Sequence, residues 1–274
     1  MSSKHSFVNI RLHGGTDNRS DQLLRILFFG SLKKLQDNAL KSRAAFLYTM
    51  HFFLVHHTNC EEYDEVKDEL YEELETEGLY EKDENSIKAV IESIQILYRQ
   101  RKIVYEKIRS TFLEQITEKF VLKNWDFNSP ELYHEPSIRF GKKPFFNKHC
   151  QYVDSKMDVV VIDKKKKIIV LAECKSDLNG FFGKLERGFA SKQPSYTSKN
   201  DDFRRGKNKV KYLREFNNKF FLMNMDGSTS SIMTTYLNSR KDFFRSKQKS
   251  KIIKFVFAEN MANTLFPQGD LVSN

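Results

Sequence analysis

Cysteine is scarce: three in 274 residues, at Cys60, Cys150 and Cys174, widely spaced and with no CxxC pair. That excludes a disulfide framework and a zinc ribbon, and a reducing, cytoplasmic setting is the expectation. His56-His57 and His149-Cys150 are adjacent pairs that lack the spacing of a zinc site. Long apolar runs are missing too. The N-terminal MSSKHSFVNIRLHGG has no apolar signal-peptide core, and the run at residues 23–29 is interrupted by Arg25 and too short to span a bilayer, so a soluble protein is expected. The signatures GxxxxGK[ST], GxGxxG and GxSxG are absent, which leaves ATP hydrolysis, dinucleotide binding and an α/β-hydrolase nucleophile without local support.

What the chain does have is size, aromatics and charge. At 274 residues, 39% hydrophobic and 13% aromatic, it can bury a real core in one large domain or two small ones. Its net charge is +10, unevenly spread: residues 61–84 hold thirteen acidic side chains against two lysines, so about +21 falls on the remainder. A polyanionic partner such as nucleic acid follows from that charge, and membrane surfaces or acidic proteins would attract it as well. The acidic segment is open to two readings. It competes with nucleic acid for the basic surface or docks on a basic partner, or it is a solvated surface element.

Residues 1–104 are expected to form a helical region for assembly or regulation. Residues 21–37 and 39–57 are dense in Leu, Phe and Ala without Pro, as two core helices require. Between Asn85 and Trp125 apolar residues recur at threes and fours, predicting one or two amphipathic helices. Residues 105–274 are expected to form an α/β domain with a mixed sheet. There SIRFGKKPFF predicts a strand or hairpin, KFFLMNM a strand, the polar segment after it a helix, and KIIKFVFAEN the last strand.

The stretch DVVVIDKKKKIIVLAECK, residues 158–175, carries the chemistry. Side chains alternate along a strand, so Ile169, Leu171, Glu173 and Lys175 share one face. A turn over the four lysines pairs Ile162 with Ile169 and Val160 with Leu171, which sets Asp158 opposite Glu173 on the face of Lys175. Two facing carboxylates repel unless a positive charge lies between them, and Mg²⁺ is a natural occupant. An adjacent lysine could then act on the phosphate or on an attacking water. The competing reading is a pair of polar strand ends facing solvent, against which stands the apolar density of both strands.

Asp158, a fourteen-residue spacer and Glu173-Cys174-Lys175 resemble the PD-(D/E)XK nuclease superfamily, with Met157 where the family name has proline. The resemblance covers residues 105–260 and implies a restriction-endonuclease-like α/β core in the order helix, three strands, helix, strand. It further implies Asp158 and Glu173 as Mg²⁺ (or Mn²⁺) ligands, the Cys174 carbonyl as a third ligand, and Lys175 as the residue assisting the water. Family members often add an acid on the preceding helix, for which Glu114 and Glu118 are the candidates, and Gln193 and Tyr196 loosely match residues that follow the lysine in some members. The chain is similar to small nuclease subunits of bacterial anti-phage systems, such as the Hachiman type that works beside a helicase.

Residues 184–219 hold eleven Lys/Arg against four acids. With Val210, Leu213 and Phe216 toward the sheet, Arg204, Arg205, Lys207, Lys209 and Lys211 are expected to contact nucleic-acid phosphates. The expected function is therefore metal-dependent hydrolysis of phosphodiesters, with DNA as the expected substrate and an RNase left open because nothing in the sequence reads the sugar. A non-catalytic nucleic-acid-binding or regulatory protein on the same fold is the alternative.

Overall fold

In chain order, a computed structural model places β1 (Ile10–His13), a helix over residues 30–39, α1 (Arg43–Val55), a short helix over 63–68, α2 (Tyr80–Tyr98) and α3 (Lys102–Asn124). Strands β2 (Glu131–His134), β3 (Ser137–Phe140), β4 (Lys143–Pro144), β5 (Val159–Asp163) and β6 (Ile168–Cys174) follow. The chain continues with α4 (Ser198–Leu222), β7 (Ser228–Thr234), β8 (Ile253–Val256) and α5 (Ala258–Leu265). The structure describes residues 5–14, 30–59, 62–68, 80–176, 178, 181, 198–237 and 253–267, with backbone only at 80–82 and 198–206. These residues fall into two compact units, one drawn from residues 1–16, 117–235 and 243–256, the other from 17–116, 236–242 and 257–274.

The second unit is helical. Ser42 caps α1 by accepting the Ala45 N–H at 3.1 Å, and the Pro-free run behind it buries Phe46, Met50, Phe52 and Phe53. The carbonyls left over at the other end of α1 are taken up by α3: Arg109 Nη1 donates to His57 O at 2.8 Å, its Nε to Phe53 O at 3.0 Å, and Tyr105 Oη to His56 O at 2.7 Å. His56 and His57 supply carbonyls to these bonds, and the His56 ring packs on Phe52. Of the acidic segment, residues 62–68 are a helical piece held to α2 by buried Tyr63 and Val66, with Tyr63 Oη on Ile91 O. Its residues 61 and 69–79 lie outside the described residues, as do Cys60 and residues 21–29 of the first expected helix.

The first unit is α/β, built on a mixed five-stranded sheet of order β2-β5-β6-β7-β8 flanked by helices. The pairs β2/β5 and β5/β6 are antiparallel; β6/β7 and β7/β8 are parallel. The hairpin register matches the alternation of the sequence, Ile162 opposite Ile169 and Val160 opposite Leu171. Residues Ile169 to Glu173 of β6 are all buried, as expected of a central strand covered on both faces. On one face Ser231 Oγ of β7 donates to Leu213 O of α4; on the other Thr117 of α3 meets Thr234 and Cys174.

Three expectations need correction. SIRFGKKPFF does form a hairpin, turning at Gly141 with φ +62, but it joins β1 in a separate three-stranded sheet, while the short ELYH strand takes the edge of the main one. KFFLMNM does not make a strand: α4 runs through Leu222, burying Phe220 and leaving Phe221 and Leu222 83% and 80% exposed. The strand is the polar STSSIMT that follows, which sits between β6 and β8 with Ser231 Oγ bonded to Leu213 O and Thr234 Oγ1 to Thr117 Oγ1. Among the described residues no helix is long and apolar enough to cross a membrane.

Asp163 builds the turn of the central hairpin. Its buried carboxylate accepts the N–H groups of Lys165 and Lys166 at 2.9 Å and of Ser129 at 2.7 Å, and also that of Asn128. Burial alone raises this carboxyl, but the N–H groups of Lys166, Ser129, Asn128 and Lys165 more than offset it and hold the pKa below the ordinary aspartate range. A lowered folded pKa contributes stability that is present above the unfolded value of about 3.9 and lost as the pH falls through the folded value. Asp163→Ala is therefore expected to cost about 2–4 kcal/mol in urea denaturation at neutral pH, with the deficit shrinking below about pH 4.

Candidate functional site

The edge-on neighbours Asp158 and Glu173 lie where β5 begins and β6 ends, on the α4 face of the sheet. Asp158 directly precedes β5, and Val159 pairs with Ala172, so Asp158 and Glu173 are the next positions across the two strands. Asp158 is anchored by Cys174, whose peptide N–H donates to its Oδ2 at 2.7 Å. The Cys174 side chain turns to the opposite face, its Sγ 3.4 Å from Thr117 Oγ1 and 3.3 Å from Thr234 Oγ1. Lys175 leaves the end of β6 with its N–H on Thr234 O at 2.9 Å, and its ammonium returns to Glu173 Oε1 at 2.6 Å. It also lies 5.6 Å over the Phe181 ring.

Lys209 of α4 completes the cluster. Its Nζ is 2.9 Å from Asp158 Oδ1 and 2.8 Å from Glu173 Oε1. The sequence grouped it with the phosphate-contacting residues, but it points into the sheet. The signal was there: Leu213, Phe216 and Phe220, all buried, follow Lys209 by four, seven and eleven residues, which puts Lys209 on the same helical stripe. Lys207 and Lys211 are off that stripe and half-buried, Val210 is likewise half-buried, and the side chains of Arg204 and Arg205 lie outside the described residues.

Burial and charge act differently on the four groups. Glu173 is fully buried, and burial, then the charge of Asp158, pushes its carboxyl up despite the two lysines. At Asp158 burial pushes the same way but is outweighed by Lys209, Lys175 and the Cys174 N–H, which hold the carboxyl down. Burial alone would lower both lysines; the carboxylates, Glu173 before Asp158, overcome it and keep both pKa values above the ordinary lysine range. The site thus sets two ammonium groups against two acids whose pKa values are pushed apart, Asp158 down and Glu173 up.

Glu118 pairs with His134 of β2, Oε1 to Nε2 at 3.1 Å, and takes no part in the carboxylate pair. Glu114 belongs to the stretch of α3 in the helical unit, not to the unit that carries the pair. Gln193 and Tyr196 lie outside the described residues.

Among the described residues no group of three or more His, Cys, Asp or Glu side chains is arranged to hold a metal. The donor set nonetheless fits Mg²⁺, which commonly takes one or two carboxylates and completes its octahedron with water and phosphate oxygens. Oxygens of both acids approach one point within 3 Å, now marked by the Lys209 ammonium, and Glu173 Oε2 is buried with no hydrogen-bond partner among the described residues. No family model, no curated protein and no solved structure matches this chain.

Removing Asp158 strips Lys209 of one counter-charge and the Cys174 N–H of its acceptor. Asp158→Ala is expected to lower stability in chelator by about 2–4 kcal/mol, less than a fully broken buried pair because Glu173 remains beside both ammonium groups. Chemical denaturation at neutral pH measures it.

Proposed function

We propose that this chain is a Mg²⁺-dependent nuclease with a restriction-endonuclease-like core, hydrolysing phosphodiester bonds, with DNA as the expected substrate and RNA as the alternative. One observation carries the reading: Asp158, Glu173 and Lys175 meet on one face at the ends of two buried, paired strands. With β3 and β4 set aside in the smaller sheet, the order α3, β2, β5, β6, α4, β7 supports it, being the helix, three strands, helix and strand that the resemblance implies.

Asp158 and Glu173 would hold the ion, with the Cys174 carbonyl as the third protein ligand. When bound, Mg²⁺ supplies charge neutralisation at the phosphodiester and a more acidic water. The residues of the chain do the rest. Lys175, kept protonated by Glu173 and Asp158, is suited to stabilise the negative charge that grows on the phosphate and to orient the attacking water, rather than to accept its proton. Arg204, Arg205, Lys207 and Lys211 on or beside α4 give sequence-independent, salt-dependent contact with the backbone phosphates. A separate helicase partner, as in anti-phage systems of the Hachiman type, would supply the ATP-driven opening of a duplex for which no motif exists here.

One observation favours a second reading, a nucleic-acid-binding protein without catalysis: the two carboxylates and two ammonium groups already neutralise one another. Incubation with single- and double-stranded DNA and RNA, in Mg²⁺ or Mn²⁺ against chelator, separates the two. The nuclease is expected to cleave only with the divalent ion, and Lys175→Ala to lose about 100-fold or more of the rate while nucleic-acid affinity stays near that of the wild type. Absence of cation-dependent cleavage by the wild-type chain decides for the second reading.

A further inference from the structure

Lys209 is the only described residue whose charged group contacts both acids, at 2.9 Å from Asp158 Oδ1 and 2.8 Å from Glu173 Oε1. Among the described residues Lys175 makes its ion pair with Glu173 and not with Asp158. A hard divalent ion that draws on both carboxylates needs the position the Lys209 ammonium holds, and two cations cannot share it.

We infer that Lys209 is a built-in counter-ion that holds the carboxylate pair together in the cation-free protein and must leave it when a divalent cation binds. The inference rests on reading Asp158 and Glu173 as a cation site and goes beyond it, because it assigns to a helix residue outside the motif the control of cation affinity. Lys209 is in this sense a positioning residue. Three features of the fold fit such an exchange. Buried Leu213, Phe216 and Phe220 pin α4 against the sheet, so the helix backbone stays and the flexible lysine stem moves. The Lys209 side chain is 22% exposed, which gives the ammonium a route to solvent without unfolding. Glu173 keeps Lys175 beside it after Lys209 departs, so the departure leaves the acid accompanied.

Mn²⁺ binding to the full chain, measured by calorimetry for wild type and Lys209→Gln with folding checked by circular dichroism, tests the inference. Lys209→Gln is expected to bind Mn²⁺ at least about tenfold more tightly, since the competing charge is gone. Equal or weaker binding by the folded variant overturns the inference and leaves the cation site standing. Failure of both proteins to bind Mn²⁺ overturns the cation site as well. A measurement on the wild type covers the case in which Gln at this position prevents folding. The ¹⁵N-labelled ammonium signal of Lys209, assigned by its loss in Lys209→Arg, is expected to move to the position of free surface lysines as Mg²⁺ saturates the protein. A signal unmoved at saturation overturns the inference.

Discussion

Two carboxylates at the end of one buried hairpin cannot both stay ionised without positive charge beside them. That requirement organises the sheet unit. Asp158 and Glu173 are brought together by backbone pairing, and the pairing is non-negotiable because residues along β5 and β6 are buried on both faces. The repulsion is met locally by Lys175, two residues beyond Glu173, and from across the fold by Lys209. Removing charge of either sign weakens the compensation of the other in a place with little water, so the same four residues bear jointly on stability.

The two faces of β6 carry different side-chain networks. The α4 face of β6 carries Glu173, and the α3 face carries Cys174, whose thiol sits between the hydroxyls of Thr117 and Thr234. Those two hydroxyls are 2.7 Å apart and buried, tying α3 to β7 directly beneath the carboxylates. At the far end of the hairpin Asp163 gathers four backbone N–H groups and closes the turn that sets the register. The two ends of one short element are thus fixed by one carboxylate each, Asp163 by neutral donors and Asp158 by a peptide N–H and an ammonium.

The hairpin was legible in the sequence because strand alternation leaves few choices: once the four lysines are a turn, Ile162 must meet Ile169. Lys209 was not legible as part of the site, because a lysine in a basic helix reads as solvated unless its phase with Leu213, Phe216 and Phe220 is taken as decisive. STSSIMT was misread because Ser and Thr lack apolar signal, and only the finished sheet brings Ser231 to Leu213 O and Thr234 to Thr117. KFFLMNM erred the other way, its aromatic density resembling a strand while α4 simply continues and leaves Phe221 and Leu222 in solvent. The small sheet joins β1 to β3 from opposite ends of a long intervening stretch, and no local pattern announces a pairing of that separation.

The position of β6 inside the sheet has one more consequence. Its two edges are bonded, antiparallel to β5 and parallel to β7, so the backbone that bears Glu173 has nowhere to go. Any rearrangement at the carboxylates is left to side-chain torsions, above all those of a long lysine stem. Under the proposed function, ion exchange there runs at the pace of rotamer changes and not of hinge or lid movements, so capture of an ion would precede slow steps such as strand separation or product departure.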